Sequence, residues 1–179
     1  PNTGNIIVPK LCTPAQQKQC RRINKGKSKK AKGKMLFEPK DENFVEKVRE
    51  SFAAQTVMQF IGAELTRIEA GEVEIILLYR KDLTQQNGFI HAGIITTIAD
   101  SACGYAAFSL MPKGADVLSV EFKVNLLSPA IGEKFVAKAR VLRAGKTLTV
   151  VQADVFAIKE DEEKHISTML GTIMCLRKD

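Results

Sequence analysis

Between residues 119 and 126 apolar and polar side chains alternate: Val120, Phe122, Val124 and Leu126 fall between Ser119, Glu121, Lys123 and Asn125. A period of two predicts a strand with one apolar face and one more polar face. Four strands are predicted in succession, over 117–127, 133–142, 146–158 and 164–176. Pro129 and Gly132, then Ala144 and Gly145, then the charged run 159–163 separate them. No helical period interrupts the series. Two more strands are predicted within 62–79, where Gly71 marks a turn and Val73, Ile75, Leu77 and Tyr79 alternate with other residues.

A different period governs two other segments. Phe44, Val48 and Phe52 recur every fourth residue, with Glu46, Lys47, Arg49 and Glu50 on the other face. This predicts an amphipathic helix that opens at Pro39 and Asp41 and ends near Gln55. Residues 91–111 carry Leu, Ile, Ala and Phe on nearly all sides before Pro112 and Gly114, the pattern of a helix enclosed by other structure. Between them 81–90 lacks a period and contains Gln85, Gln86, Asn87 and Gly88, an irregular connection of the kind that often carries function. The apolar sheet face needs a cover, and helix 91–111 is the element able to supply it. The expected fold is therefore α+β, an antiparallel sheet wrapped around one long central helix.

Charge changes this picture at one end of the chain. Residues 1–34 hold ten of the 27 Lys and Arg and none of the 20 Asp and Glu, so that segment carries +10 and the remainder is mildly acidic at −3. A basic stretch without apolar period is expected to form a tail, leaving a single domain over 35–179. Because Met35 opens the patterned region, the tail is either native or read from upstream of the natural start. The four cysteines, Cys12, Cys20, Cys103 and Cys175, show no zinc or redox spacing, which points to a reduced, cytoplasmic setting. No window has the roughly 18 uninterrupted apolar residues of a membrane span.

Candidate chemistry centres on Asp100, the single formally charged side chain between Leu83 and Pro112. A buried carboxylate without partners costs several kcal/mol, so Asp100 is paired, hydrogen-bonded, protonated or set in a cleft. It either caps a second helix starting at Ser101 or bonds backbone groups, or it is a reacting group. His91, Ala92 and Gly93 stand where the helix begins. Free N–H groups there can hold a carbonyl oxygen as it gains charge, and glycine permits close approach. The alternative for His91 is a capping or packing histidine. His91 and Asp100 lie nine residues apart, roughly 13.5 Å along a helix and on opposite sides of it, so they cannot meet within one helix. If both serve one site, that site is shared across a two-fold dimer.

The run from Gln85 to Ala107, Gln-Gln-Asn-Gly-Phe-Ile-His-Ala-Gly-Ile-Ile-Thr-Thr-Ile-Ala-Asp-Ser-Ala-Cys-Gly-Tyr-Ala-Ala, resembles the signature of hotdog-fold acyl-CoA thioesterases of the PaaI-like family. The resemblance continues through 119–130 and covers about residues 42–176. It implies cleavage of an acyl-CoA thioester to free acid and CoA, with Asp100 as nucleophile or as the base that activates water. It makes the Ala92 N–H the carbonyl-polarising donor, His91 the support of that loop, and Ser119 a serine used in some members. The family's asparagine six positions before the histidine is Gln85 here, with Asn87 a possible substitute, and the glycine after the histidine is Ala92. Arg143, Lys146 and Thr147 match the family's basic turn near the nucleotide end of CoA; the same residues are equally consistent with a solvated turn. A thioester is electrophilic enough that one carboxylate and one N–H donor suffice, without metal or other cofactor.

Expected partners are an acyl-CoA with a medium- to long-chain aliphatic, or aryl, acyl group, whose pocket depth depends on Phe89, Ile90 and Tyr105. A homodimer or dimer of dimers with shared sites is expected, and no specific nucleic acid. A Ser-His-Asp hydrolase is disfavoured: there is no G-x-S-x-G, and of the two histidines His165 lies in a charged stretch. The alternatives are a hotdog dehydratase, which would need a histidine in a Pro-Gly-rich loop, and an acyl-CoA-binding regulator without turnover.

Overall fold

The computed structural model describes residues 37–177; the expected tail over 1–34 lies outside the described residues. Helix α1 (Phe44–Ala54) is followed after Gln55 by a short helix α2 (Thr56–Ile61), which closes on Gly62 in the left-handed region, φ +73°. Helix α2 is absent from the periodic reading because its six residues bury only Met58 and Ile61, too few contacts to establish a period.

Strands β1 (Ala63–Glu69) and β2 (Glu72–Leu78) form a hairpin, a 3₁₀ turn spans Lys81–Leu83, and helix α3 runs from Ala92 to Phe108. Helix α3 ends three residues earlier than expected, Ser109 to Met111 forming its exit turn, and His91 is its N-cap. It passes unbroken through Asp100 and Ser101, so no second helix begins there and Asp100 is not a cap. Strands β3 (Asp116–Leu126), β4 (Lys134–Ala144), β5 (Leu148–Lys159) and β6 (Glu162–Leu176) complete a six-stranded antiparallel sheet ordered β1-β2-β4-β5-β6-β3. This is the hotdog layout.

The core lies where the sheet curves over α3. Val73, Ile75 and Leu77 on β2, Phe135 and Ala137 on β4, Val151, Ala153 and Val155 on β5, and Met169 and Ile173 on β6 are all buried, as are Ile95, Ile98, Ala99, Ala102 and Ala106 on the helix. Each large apolar side chain so buried contributes about 1.5–3 kcal/mol. Alanines at successive helix turns let the strands come close. The enclosure is incomplete: Gly93, Thr97, Asp100 and Gly104, spaced to share one face, remain open or half-open. A Cβ added at Gly104 would meet nothing within 4 Å.

Strand β3 departs from the sequence reading in two ways. Ser119 pairs with Ile173 and Glu121 with Thr172, which leaves Val120 as an extra, unpaired residue. Such a bulge shifts the side-chain phase by one residue. Ser119 therefore joins Phe122, Val124 and Leu126 on the helix-facing side, opposite the buried Ile173, Gly171, Met169 and Ser167, instead of lying on the polar face with Glu121. The inward face is also not covered as expected. Strand β3 is the sheet's last strand: α3 reaches it at Ser119, and Val117 and Val124 pack against the core, but Phe122 and Leu126 remain 44% and 58% exposed.

Candidate active site

Helix α3 begins at a turn that holds its own N-terminus. The Gly93 N–H donates to His91 Nδ1 at 2.9 Å, and the N–H groups of Ile94 and Ile95 both donate to the His91 carbonyl. A Cβ at Gly93 would sit 3.0 Å from His91 Nδ1, so glycine is what lets the imidazole fold over the helix start. With Nδ1 accepting, the proton of the neutral ring resides on Nε2. Of the first four N–H groups of the helix, only that of Ala92 is left without a partner among the described residues. The helix dipole adds to its pull on a carbonyl oxygen.

Ala92 opens onto a cleft of about 380 Å³ lined by Gln85, Phe89, Ile90, Ile95, the segment from Leu126 to Ala130, and Ile166. The loop before the helix is closed by the Gln85 N–H to the Phe89 carbonyl, 2.9 Å, and tied to the opposite wall by the Ile90 N–H to the Ala130 carbonyl, 3.2 Å. The Gln85 Oε1 accepts from the Asn87 N–H, which leaves the Gln85 amide NH₂ to donate. Asn87 itself is exposed and does not line the cleft. The walls contributed by 126–130 and Ile166 carry no signal in the sequence, because they reach the cleft through strand pairing. Tyr105 is not a wall: it is buried between Phe52 and Phe108, its hydroxyl 3.4 Å from Ser51.

Asp100 stands eight residues further along α3, a rise of about 12 Å. Its carboxylate is half-buried, and Oδ1 accepts from Ser119 Oγ at 2.8 Å. Oδ2 has no partner among the described residues. The bulge at Val120 is what turns Ser119 towards this carboxylate. Cys103, one turn on, is no competing nucleophile. Burial pushes its thiol well above the usual range and the nearby Asp100 charge pushes it further, so it stays protonated.

Within one chain these groups do not converge. Ala92 and Gln85 lie at the start of α3, and Asp100 with Ser119 lies at its middle. Arg143, Lys146 and Thr147 are exposed at the turn after β4, where Ala144 to Lys146 share a small recess with Ala107 and Leu110 to Pro112, beyond the far end of the helix. The Gly145 N–H donates to the Leu148 carbonyl and the Cys175 N–H to that of Thr147, fixing the turn.

The fold defines a class, the hotdog proteins, here with one free N–H at the start of the central helix and a carboxylate set apart on the same helix. A family profile described as the thioesterase superfamily matches residues 87–164. A crystal structure of a thioesterase family protein from Silicibacter pomeroyi is similar at 52% identity and a TM-score of 0.75, covering 75% of this chain and 99% of that one. The chain belongs to the thioesterase superfamily. Acyl-coenzyme A thioesterase 13 of Mus musculus is 36% identical over 73 residues, 40% of this chain and 51% of that enzyme. The E. coli PaaI protein shares the fold at 16% identity and a TM-score of 0.67, covering 76% of this chain and 94% of that one. No described helix is long and apolar enough to cross a membrane.

Proposed function

We propose that the protein hydrolyses acyl-CoA thioesters in a site completed by a second copy of the chain. The observation that supports this most is the split arrangement: a helix start with one free N–H on an apolar cleft, and a half-buried carboxylate about 12 Å away on the same helix, beside an unpaired strand edge.

Helix α3 and strand β3 run in opposite directions, Ala92 lying near Leu126 and Asp100 beside Ser119. Antiparallel pairing of two β3 edges about a two-fold axis reverses that order in the partner. An axis between Ser119 and Leu126 brings the partner's Asp100 towards Ala92. The same operation carries the partner's Arg143, Lys146 and Thr147 from the far end of its helix towards the cleft mouth, where cations would pair with CoA phosphates. The exposed Phe122, close to the axis, becomes buried in the process.

In this reading the thioester carbonyl accepts from the Ala92 N–H while Gln85 donates alongside. The partner's Asp100, steadied by Ser119, takes a proton from the water that attacks the carbonyl carbon, or attacks that carbon itself to give a mixed anhydride that water then cleaves to the free acid. The electrons return from the tetrahedral oxyanion, the C–S bond breaks, and CoA leaves as thiolate. The apolar walls suit a medium- to long-chain aliphatic or aryl acyl group. Thiol release from a panel of acyl-CoAs tests the proposal. The wild type should turn over at least one member, and Asp100→Asn should lose several orders of magnitude in turnover while keeping its assembly. Near-normal turnover by the variant removes Asp100 from the mechanism, and tight binding without thiol release by the wild type marks a binding protein.

A further inference from the structure

Among the described residues one buried side-chain oxygen finds no hydrogen-bond partner: Ser167 Oγ, on a residue with no exposed surface. A buried hydroxyl left unpaired costs about 1–3 kcal/mol, so its persistence calls for an explanation. The position faces inward. Ser167 pairs with Val155 and with Leu126, and shares the helix-facing side of β6 with the buried Met169, Gly171 and Ile173.

The cleft lies next to it. Ile166, its chain neighbour, lines the cleft, and so does Leu126, its cross-strand partner. A second bulge, between Val155 and Phe156, leaves Ile166 without a partner on β5 and buried against the cleft. Of these two side chains Ile166 is buried, whereas Leu126, at the cleft end of β3, is largely exposed. Moving Leu126 aside would open the orphan hydroxyl to whatever fills the cleft.

We propose that Ser167 is a specificity-determining residue, hydrogen-bonding a hydroxyl or carbonyl carried on the acyl chain of the substrate. The inference rests on the thioesterase reading above and narrows it to acyl groups bearing one polar substituent on an otherwise apolar chain. A site that holds a buried polar group in wait discriminates against the ligand that leaves it unpaired. An unsubstituted chain does so; a chain with its oxygen at the matching carbon satisfies both groups.

The test is a series of acyl-CoAs of one length, unsubstituted or hydroxylated at successive carbons, with the matching non-hydrolysable thioethers measured for binding in parallel. The wild type should favour one hydroxylated isomer over the unsubstituted chain by about tenfold in kcat/KM and in thioether affinity. Ser167→Ala should bring that ratio to near one with an unchanged or raised Tm, and Ser167→Cys should keep part of it. Equal treatment of every isomer by the wild type overturns the proposal, and so does a preference that survives in Ser167→Ala. A marked fall in Tm for Ser167→Ala also overturns it, by showing that the hydroxyl serves the fold. Absence of turnover would fail the thioesterase reading alone, because the thioether affinities still judge Ser167.

Discussion

At the scale of single residues the site depends on which backbone donor is left free. Three of the first four N–H groups of α3 are taken up by His91, and Ala92 keeps the fourth. Ala92 is the first helical residue, where proline is well tolerated, and His91 already has the extended backbone, φ −59° and ψ 136°, that a following proline demands. Ala92→Pro should therefore delete the donor while leaving the helix standing. We expect kcat to fall about 10²- to 10³-fold with little change in Tm, read from steady-state kinetics and thermal melts. Ser119→Ala removes a hydrogen bond to a charged oxygen and should cost about 10- to 100-fold in kcat. If instead Ser119→Ala leaves kcat untouched, the bond at 2.8 Å only buttresses the strand.

Much of this scale was legible in advance. Asp100 stood out because a lone charge in an apolar helix is costly, and the helix start stood out because its donors lack intrahelical acceptors. The phase of Ser119 was not legible. An alternating pattern reports which side a residue takes only while the strand keeps its register, and one surplus residue at Val120 reverses the reading upstream.

At the scale of elements the turn after β4 and the edge of β3 each carry a test. A Cβ at Gly145 would collide with the Leu148 carbonyl oxygen, so Gly145→Ala must push the turn open. We expect a loss of about 1–3 kcal/mol of stability and a raised KM for acyl-CoA, with kcat less affected. Phe122→Arg places a charge at an exposed position on the inward face of the edge strand β3. It should shift the protein to monomer in sedimentation and abolish thiol release together, whereas a fully active monomer would contradict the shared site. The strands themselves, apart from their ends, follow from period two and from the Gly and Pro between them. Their order in the sheet does not, because pairing β3 with β6 depends on contacts some fifty residues apart in sequence.

For the whole molecule the decisive property is whether one site draws on two chains. Mixing Ala92→Pro with Asp100→Asn after unfolding and refolding distinguishes the cases. In a shared site the mixed dimer contains one intact combination, the free donor from one chain and the carboxylate from the other. Random reassembly should then restore about a quarter of wild-type activity. A site confined within one chain would stay dead in every mixture, since each chain carries a lesion.

The stranded edge of β3 has a consequence for the protein's early life. A newly made copy exposes a row of backbone donors and acceptors flanked by Phe122 and Leu126, a template for joining any extended chain it meets. If that edge pairs with a second copy as proposed, its safety in a crowded environment depends on how fast the two meet, so dilution, slow synthesis or a surplus of damaged copies would favour clumping over function.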